Sequence, residues 1–387
     1  MIIISEVEKI DNNEMFETLI EGTNFKINTM AQVLTSCELK VKTPLEALNG
    51  LLGGGFNLNG VYHTFGEPKS GKSTLFYQTM GNFQKQYPEG LSVIIDTERS
   101  ADANRLKALG VDPSKVLVLP ASSIEAGFLA LFKMLENKKK SKKLKDLPVF
   151  IIWDTISRGL AQDESTQSRM NAMDRARIIK GYLPDLSNRI ENQPFFLGLL
   201  NQVIQRTDRY GNVHDEAGGG VALQHDNHLS LQISFREEEV NSNGFLTTQI
   251  STMKMDKSKL SPRQNNVIIR IDATKGGIID ERESFLQYLM ESFKFLEKSG
   301  SYYNIKPLIN KYKDTPIGNY LEKNLSSNKY LKKWYEIIHS EDTLYLILKY
   351  AYMQELSRDF SLQREIIKPY LDEVTEELKT ALGVDEL

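Results

Sequence analysis

The 387-residue sequence predicts an α/β fold: a mostly parallel, twisted sheet with helices on both faces, an antiparallel extension and a helical C-terminal part. Three observations predict it. Apolar runs at 91–96, 149–154 and 195–202 lack the alternation of a half-exposed strand, so both their faces should be covered. Helical segments separate these runs, as the crossovers of parallel strands require. From 229 onward, strands follow one another through turns, including the hairpin signal Asn241-Ser242-Asn243-Gly244.

In chain order, residues 1–45 are polar, with weak helical patterning around Met15, Phe16, Leu19 and Ile20, and read as a small N-terminal arm. Residues 60–66 read as a strand entering a loop, and 73–86 as the helix that follows. Segment 91–96 is a buried strand ending in carboxylates, and 116–119 is another buried strand. An amphipathic helix at 124–137 precedes the strands at 149–154 and 195–202. Segments 229–235, 247–254 and 266–271 form the antiparallel extension. After Gly276-Gly277 the chain reads as helical to its end, rich in tyrosine and lysine. The expected division is an arm at 1–45, a core at 46–283 and a C-terminal domain at 284–387. The lysine-rich stretch 138–145 reads as a solvated helix end and loop. Lys323, Lys329, Lys332 and Lys333 read as a solvated face, with guidance of duplex DNA as the functional alternative.

Composition excludes several classes. With 48 basic and 51 acidic residues the net charge is −3, so no uniformly cationic nucleic-acid binder is expected, and any such contact must come from local patches. The one cysteine, Cys37, rules out a disulfide framework and a multi-cysteine zinc site and fits a reducing, cytoplasmic setting. No apolar run approaches the ~18 residues of a membrane span. The start, Met1-Ile2-Ile3-Ile4-Ser5-Glu6, lacks the basic and long apolar regions of a secretory signal.

Gly66-Glu67-Pro68-Lys69-Ser70-Gly71-Lys72-Ser73 matches G-x-x-x-x-G-K-[ST] in full, with Thr74 next on the helix. Backbone N–H groups converge on a triphosphate only where some residues lack a Cβ, hence Gly66 and Gly71. The following helix points its positive end at the phosphates. Lys72 places a cation on the β/γ oxygens, and the Ser73 hydroxyl can ligate Mg²⁺. Asp154, closing its apolar strand, is the expected second anchor for Mg²⁺. Glu98, just after the second strand, can orient a water toward the γ-phosphate. Gln202, in Asn201-Gln202 at another strand end, offers an uncharged amide that can sense whether that phosphate is present.

This order of motifs resembles the RecA family of homologous recombinases, phage UvsX-type members included, over roughly residues 44–302. The resemblance implies a RecA-type P-loop ATPase core that uses ATP and Mg²⁺. It implies that Glu98 positions the attacking water and that Asn201-Gln202 links the γ-phosphate to a DNA-binding loop. It places Asp102 near the adenine amino group and Arg105 on the ring face. Gly218-Gly219-Gly220 is similar to the glycine-rich stretch after the family's second DNA loop. Lys257 and Lys259 resemble a lysine pair that reaches a neighbouring subunit's ATP site; an exposed turn is the plainer reading. The family's two DNA loops fall at about 157–168 and 204–217. Arg158, Arg169, Arg206 and Arg209 are the candidate phosphate contacts, with Tyr210 either wedged between bases or exposed on a turn.

The sequence also departs from the family. Gln224-His225 stands where the bacterial pattern has a lysine and a bulky aromatic, and the first loop is mostly acidic and polar, with no residue identified as the apolar one that family members often place there. These departures and the compact size suggest a phage origin, with the host cytoplasm as the location. The reading is an ATP-dependent strand-exchange recombinase that self-associates into filaments on single-stranded DNA, takes up a homologous duplex and works with single-strand-binding and loader proteins. Two rivals stay open: a hexameric helicase on the same core, and a mediator paralogue that barely hydrolyses ATP.

Overall fold

The computed structural model describes residues 39–387 except 98, 100, 157–171, 191–192, 208–212, 218–222, 224–225, 259–265, 326 and 360–363. The expected arm at 1–38 therefore lies outside the described residues. Strand β1 (Lys40–Val41) pairs with β2 (Phe56–Asn57) across α1 (Glu46–Leu51). The core then runs β3 (Val61–Gly66), α2 (Lys72–Gln86), β4 (Leu91–Asp96), α3 (Ala103–Ala108), β5 (Val116–Leu119), α4 (Ile124–Lys140), β6 (Val149–Asp154), α5 (Ala172–Ile190) and β7 (Phe195–Thr207). It continues with β8 (Val213–Ala217), β9 (Leu229–Val240), β10 (Leu246–Ser258), β11 (Val267–Asp272) and β12 (Ile278–Ile279). The sheet order is β12-β11-β10-β9-β3-β7-β6-β4-β5, with β8 pairing on β7. From β9 to β5 the neighbours are parallel, and from β9 to β12 antiparallel, so the mixed sheet expected from the apolar runs is present.

Side-chain alternation explains why these strands are apolar throughout. Phe150, Ile152, Phe196 and Leu200 face α2 and meet Leu75, Phe76, Met80 and Phe83. Ile151, Trp153, Leu197 and Leu199 face the other way, against Phe128, Leu131 and Leu135 of α4 and Ile179, Leu183 and Leu186 of α5. Phe150 and Phe196 stack across neighbouring strands at 4.1 Å between ring centroids. This central layer is the rigid base on which the strand ends are arrayed.

Four local expectations are corrected. Strand β5 is not buried: Leu117 is 55% and Val118 43% exposed, because β5 ends the sheet with β4 on one side only. The second presumed loop is largely a hairpin, since Val203–Thr207 and Val213–Ala217 pair antiparallel and close a backbone ladder. Lys257 is in strand β10 opposite Ser230, not in a turn. The 138–145 lysines are not all solvated: Lys138 is buried and its Nζ donates to the Lys145 carbonyl.

Beyond β12 come α6 (Glu281–Ser292), β13 (Glu297–Ser299), β14 (Tyr302–Asn304), α7 (Lys306–Lys311), α8 (Pro316–Leu325), β15 (Lys329–Tyr330), α9 (Leu331–Ser340), α10 (Asp342–Asp359) and α11 (Arg364–Leu382). Strands β13–β15 make a small sheet inside the segment expected to be mainly helical. One hydrophobic cluster continues from the α2 face of the core sheet into these helices through Leu48, Phe285, Trp334, Tyr352 and Tyr370. Buried Arg270 of β11 donates to Glu239 at 2.8 and 3.1 Å and to Glu283 at 3.0 Å. Its guanidinium also lies 4.7 Å from the Tyr335 ring, so one side chain ties β9, β11, α6 and α9 together. Among the described residues no helix is long and apolar enough to cross a membrane.

Candidate functional site

The site starts where β3 stops. A Cβ on Gly66 would meet the Ile233 carbonyl oxygen at 2.0 Å, so no side chain fits there. Gly71 caps α2 with φ 102°, a left-handed conformation that favours glycine. Between them Glu67, Pro68 and Lys69 are exposed while Ser70 is buried. Lys72 Nζ folds back into the loop and donates to the carbonyls of Gly66 at 3.0 Å and Glu67 at 2.5 Å. The buried Ser70 Oγ has no hydrogen-bond partner among the described residues. A tight loop with no room for a side chain at Gly66, an ammonium inside it and a helix N-terminus behind it make an anion cradle.

The opposite wall is acidic. Strands β4 and β6 are adjacent and in register, which sets Asp96 beside Asp154. Asp154 Oδ2 accepts hydrogen bonds from Ser73 Oγ at 2.9 Å and from the Tyr77 hydroxyl at 3.0 Å. Burial holds the Asp154 carboxyl above its ordinary value, against the pull of those two hydrogen bonds, and the Asp96 charge adds to the rise. Burial also raises the Tyr77 hydroxyl, with Asp154 second. Thr97 and Thr155 fasten the strand ends: Thr97 N–H donates to Asp154 O at 3.1 Å and Thr155 Oγ1 to Leu200 O at 2.7 Å. The hydroxyl and carboxylate oxygens of Ser73 and Asp154 are hard donors of the kind Mg²⁺ takes, so this pair fits a divalent cation.

The raised Asp154 carboxyl has a consequence for stability. The fold favours its neutral form, so its contribution is present below the ordinary value of 3.8 and is lost as pH rises through the raised value. At neutral pH the charge therefore costs stability. Asp154→Asn keeps an acceptor for Ser73 and Tyr77, and should raise the melting temperature of the ligand-free protein at pH 7 by about 2 °C. A lower melting temperature would show that the ionised carboxylate is stabilising instead.

Beside the cradle lies a cavity of about 390 Å³. Lys69, Gly71, Lys72, Ser73, Thr74 and Arg105 line it, and Arg105 Nη2 donates to Thr74 Oγ1 at 3.1 Å. Asp102 does not line it; its carboxylate caps α3 by accepting the Arg105 N–H at 2.7 Å. The far side comes from Leu246 and Gln249 of β10, Ile271, Ala273 and the pair Gly276-Gly277, none of which sequence reasoning assigned to a site. Gln249 Nε2 donates to the Lys69 carbonyl at 2.7 Å and holds the loop from that side. Only the glycine pair carried a signal, and it read as an element boundary.

Gln202 reaches the site through the sheet. Parallel pairing of β3 with β7 places it opposite Gly66 and leaves it half-buried. One residue further, β7 leaves β3 and pairs with β8. Glu98, Arg158, Arg169, Lys259, Arg209 and Tyr210 lie outside the described residues. Of Lys257 and Arg206 only the strand backbone is described.

A strand, a phosphate-cradling loop, a helix and a hydroxyl–carboxylate pair across from it define a P-loop nucleotide-binding protein. The model of the RecA N-terminal domain matches residues 5–278. The Protein RecA of Mesoplasma florum is 26% identical over 252 residues, 65% of this chain and 72% of that protein. The Protein RecA of Acholeplasma laidlawii is 28% identical over 264 residues, 67% of this chain and 75% of that protein. The DNA repair and recombination protein RadA of Metallosphaera sedula is 30% identical over 209 residues, 50% of this chain and 62% of that protein. The chain belongs to the RecA family of recombinases. Membership implies an ATPase-type enzyme, and RecA-family proteins in general bind ATP with Mg²⁺ and bind DNA.

Proposed function

We propose that this protein is an ATP-dependent DNA strand-exchange recombinase that polymerises on single-stranded DNA. The observation that carries the reading is strand β7. It runs unbroken from Gln202, beside Gly66 of the phosphate loop, into the β7–β8 hairpin. A change sensed at the phosphates can thus be passed along one strand to the hairpin that this reading assigns to DNA. In this reading Lys72 and the loop amides bind the ATP phosphates, while Arg105 and the cavity beside the loop take the nucleoside. Ser73 and Asp154 hold Mg²⁺, which when bound neutralises phosphate charge. Glu98 orients the water, and Gln202 registers the γ-phosphate. Arg158, Arg169, Arg206 and Arg209 contact the DNA backbone, with Tyr210 against bases. Lys257 and Lys259 serve a neighbouring subunit's ATP in the manner of an arginine finger supplied in trans. Homology is then tested by base pairing with the incoming duplex.

The deciding experiment measures ATP hydrolysis with and without single-stranded DNA, followed by strand exchange between a single strand and a homologous duplex. DNA should stimulate hydrolysis, and exchange should require ATP. Alanine at both Lys257 and Lys259 should abolish the stimulation, and mixing that variant with Glu98→Gln subunits should restore part of it. Duplex unwinding by closed rings, without exchange, would overturn the reading in favour of a helicase; binding of ATP with no hydrolysis would favour a mediator.

A further inference from the structure

His63 lies in the middle of β3, fully buried, between the strand that carries Gln202 and the strand that leads to Lys257. Its two ring nitrogens are both engaged, each by a different neighbouring strand. Nε2 is 3.2 Å from Asn201 Nδ2 of β7, and Nδ1 is 3.1 Å from Ser230 Oγ of β9. Asn201 Oδ1 accepts the Gln202 backbone N–H at 2.9 Å. With its oxygen so used, the Asn201 amide turns its NH₂ toward the ring, and Nε2 must accept. The proton then resides on Nδ1 and is donated to Ser230 Oγ. One neutral tautomer satisfies all three contacts. Burial supports it by pushing the imidazole down to about 3, so the ring stays uncharged through the working range. The Phe65 ring stacks on it at 5.4 Å and 17° between planes, which restrains its tilt.

The place of this chain of contacts in the sheet gives it a task. Gly66 and Gln202 form the last β3–β7 pair, and Val203 already pairs with Ala217 of the hairpin. Asn201 and Gln202 are therefore the joint at which β7 passes from the ATPase sheet to the hairpin. The Asn201 side chain holds the Gln202 N–H at that joint. His63, anchored on Ser230, holds the Asn201 side chain in turn.

We infer that His63 is a positioning residue for coupling between the nucleotide site and the β7–β8 hairpin: through Asn201 it fixes the joint at which Gln202 is presented to the phosphate loop. The inference rests on the proposed function, in which Gln202 registers the γ-phosphate. His63 does not line the cavity beside the phosphate loop. Its loss should leave ATP binding and basal hydrolysis in place and weaken the response to DNA.

The test measures kcat and KM for ATP, with and without saturating single-stranded DNA, in wild type, His63→Leu, His63→Gln and Ser230→Ala. His63→Leu should lose about 10-fold of the DNA stimulation. Its KM and basal kcat without DNA should stay within about twofold of wild type. His63→Gln can still present an acceptor to Asn201 and should restore most of the stimulation, which a merely space-filling role does not predict. Should His63→Leu fail to fold, Ser230→Ala decides: it keeps the ring, frees the Nδ1 side and should lose about 3-fold of the stimulation. If wild type is stimulated by DNA and the folded variants match it, this inference is overturned while the proposed function stands. If wild type itself shows no stimulation, both are overturned. A fall in basal kcat as large as the fall in stimulation would also overturn it, by making His63 a structural support of the whole site.

Discussion

Replacing Lys72 with alanine is expected to lower ATP hydrolysis by about 10³-fold, the scale of removing one preorganised charge donor from a reacting centre. That factor corresponds to about 4 kcal/mol of transition-state stabilisation. Lys72 Nζ lies among the loop carbonyls of Gly66 and Glu67, inside the cradle where β/γ phosphates are proposed to bind. The loop's other lysine, Lys69, is exposed and lines the neighbouring cavity, and among the described residues its side chain makes no contact inside the cradle like those of Lys72 with Gly66 and Glu67. The fold should survive. The buried face of α2 is built by Leu75, Phe76, Met80 and Phe83, and alanine is the best helix former. The two carbonyls left without this donor cost about 1 kcal/mol. A circular dichroism spectrum and thermal melt recorded beside the hydrolysis assay separate the outcomes. An unfolded Lys72→Ala protein would assign the lysine to holding the loop together.

Glu98→Gln should lower hydrolysis by about 10²-fold or more, the scale of losing a general base, while ATP binding persists. Glu98 itself lies outside the described residues, but its approach does not. Strand β4 delivers Asp96 next to Asp154, and Thr97 is fastened there by its N–H to Asp154 O and its Oγ1 to Thr155 O at 2.6 Å. Asp96 is buried and its Oδ2 accepts the Ala101 N–H at 3.0 Å, so that carboxylate is engaged in closing the loop. This leaves Glu98 as the carboxylate proposed to face water. Glutamine keeps its size and a hydrogen-bonding group and removes the charge. Hydrolysis by Glu98→Gln near the wild-type rate would show that the water is positioned elsewhere.

Residues adjacent in the chain made much of this legible. The phosphate loop is contiguous, its two glycines answer to a local need for space and for a left-handed turn, and the strand before it and helix after it follow from local apolar pattern. The fully apolar runs of β4, β6 and the first half of β7 declared a sheet covered on both faces, because both sets of side chains had to be buried. Where the same reasoning failed, the cause was position in the sheet. Segment 116–119 has the composition of an inner strand, and only the strand order makes it an edge. The 204–217 stretch is polar, and its hairpin exists because two segments separated along the chain close each other's backbone hydrogen bonds.

The sequence by itself determined the family, the sheet class, the loop and the likeness of Ser73 and Asp154 to a metal-holding pair. Tertiary structure alone decided what stands beside what. Gln202 reaches Gly66 through strand register, Gln249 reaches the Lys69 carbonyl from 180 residues away, and His63 joins Asn201 and Ser230 across separations of 138 and 167 residues. Local propensity and hydrophobic period act within a turn or a strand and so are written in neighbouring residues. Register, burial and the protonation of a buried ring arise only when distant segments exclude water together, and no short stretch of sequence holds that information.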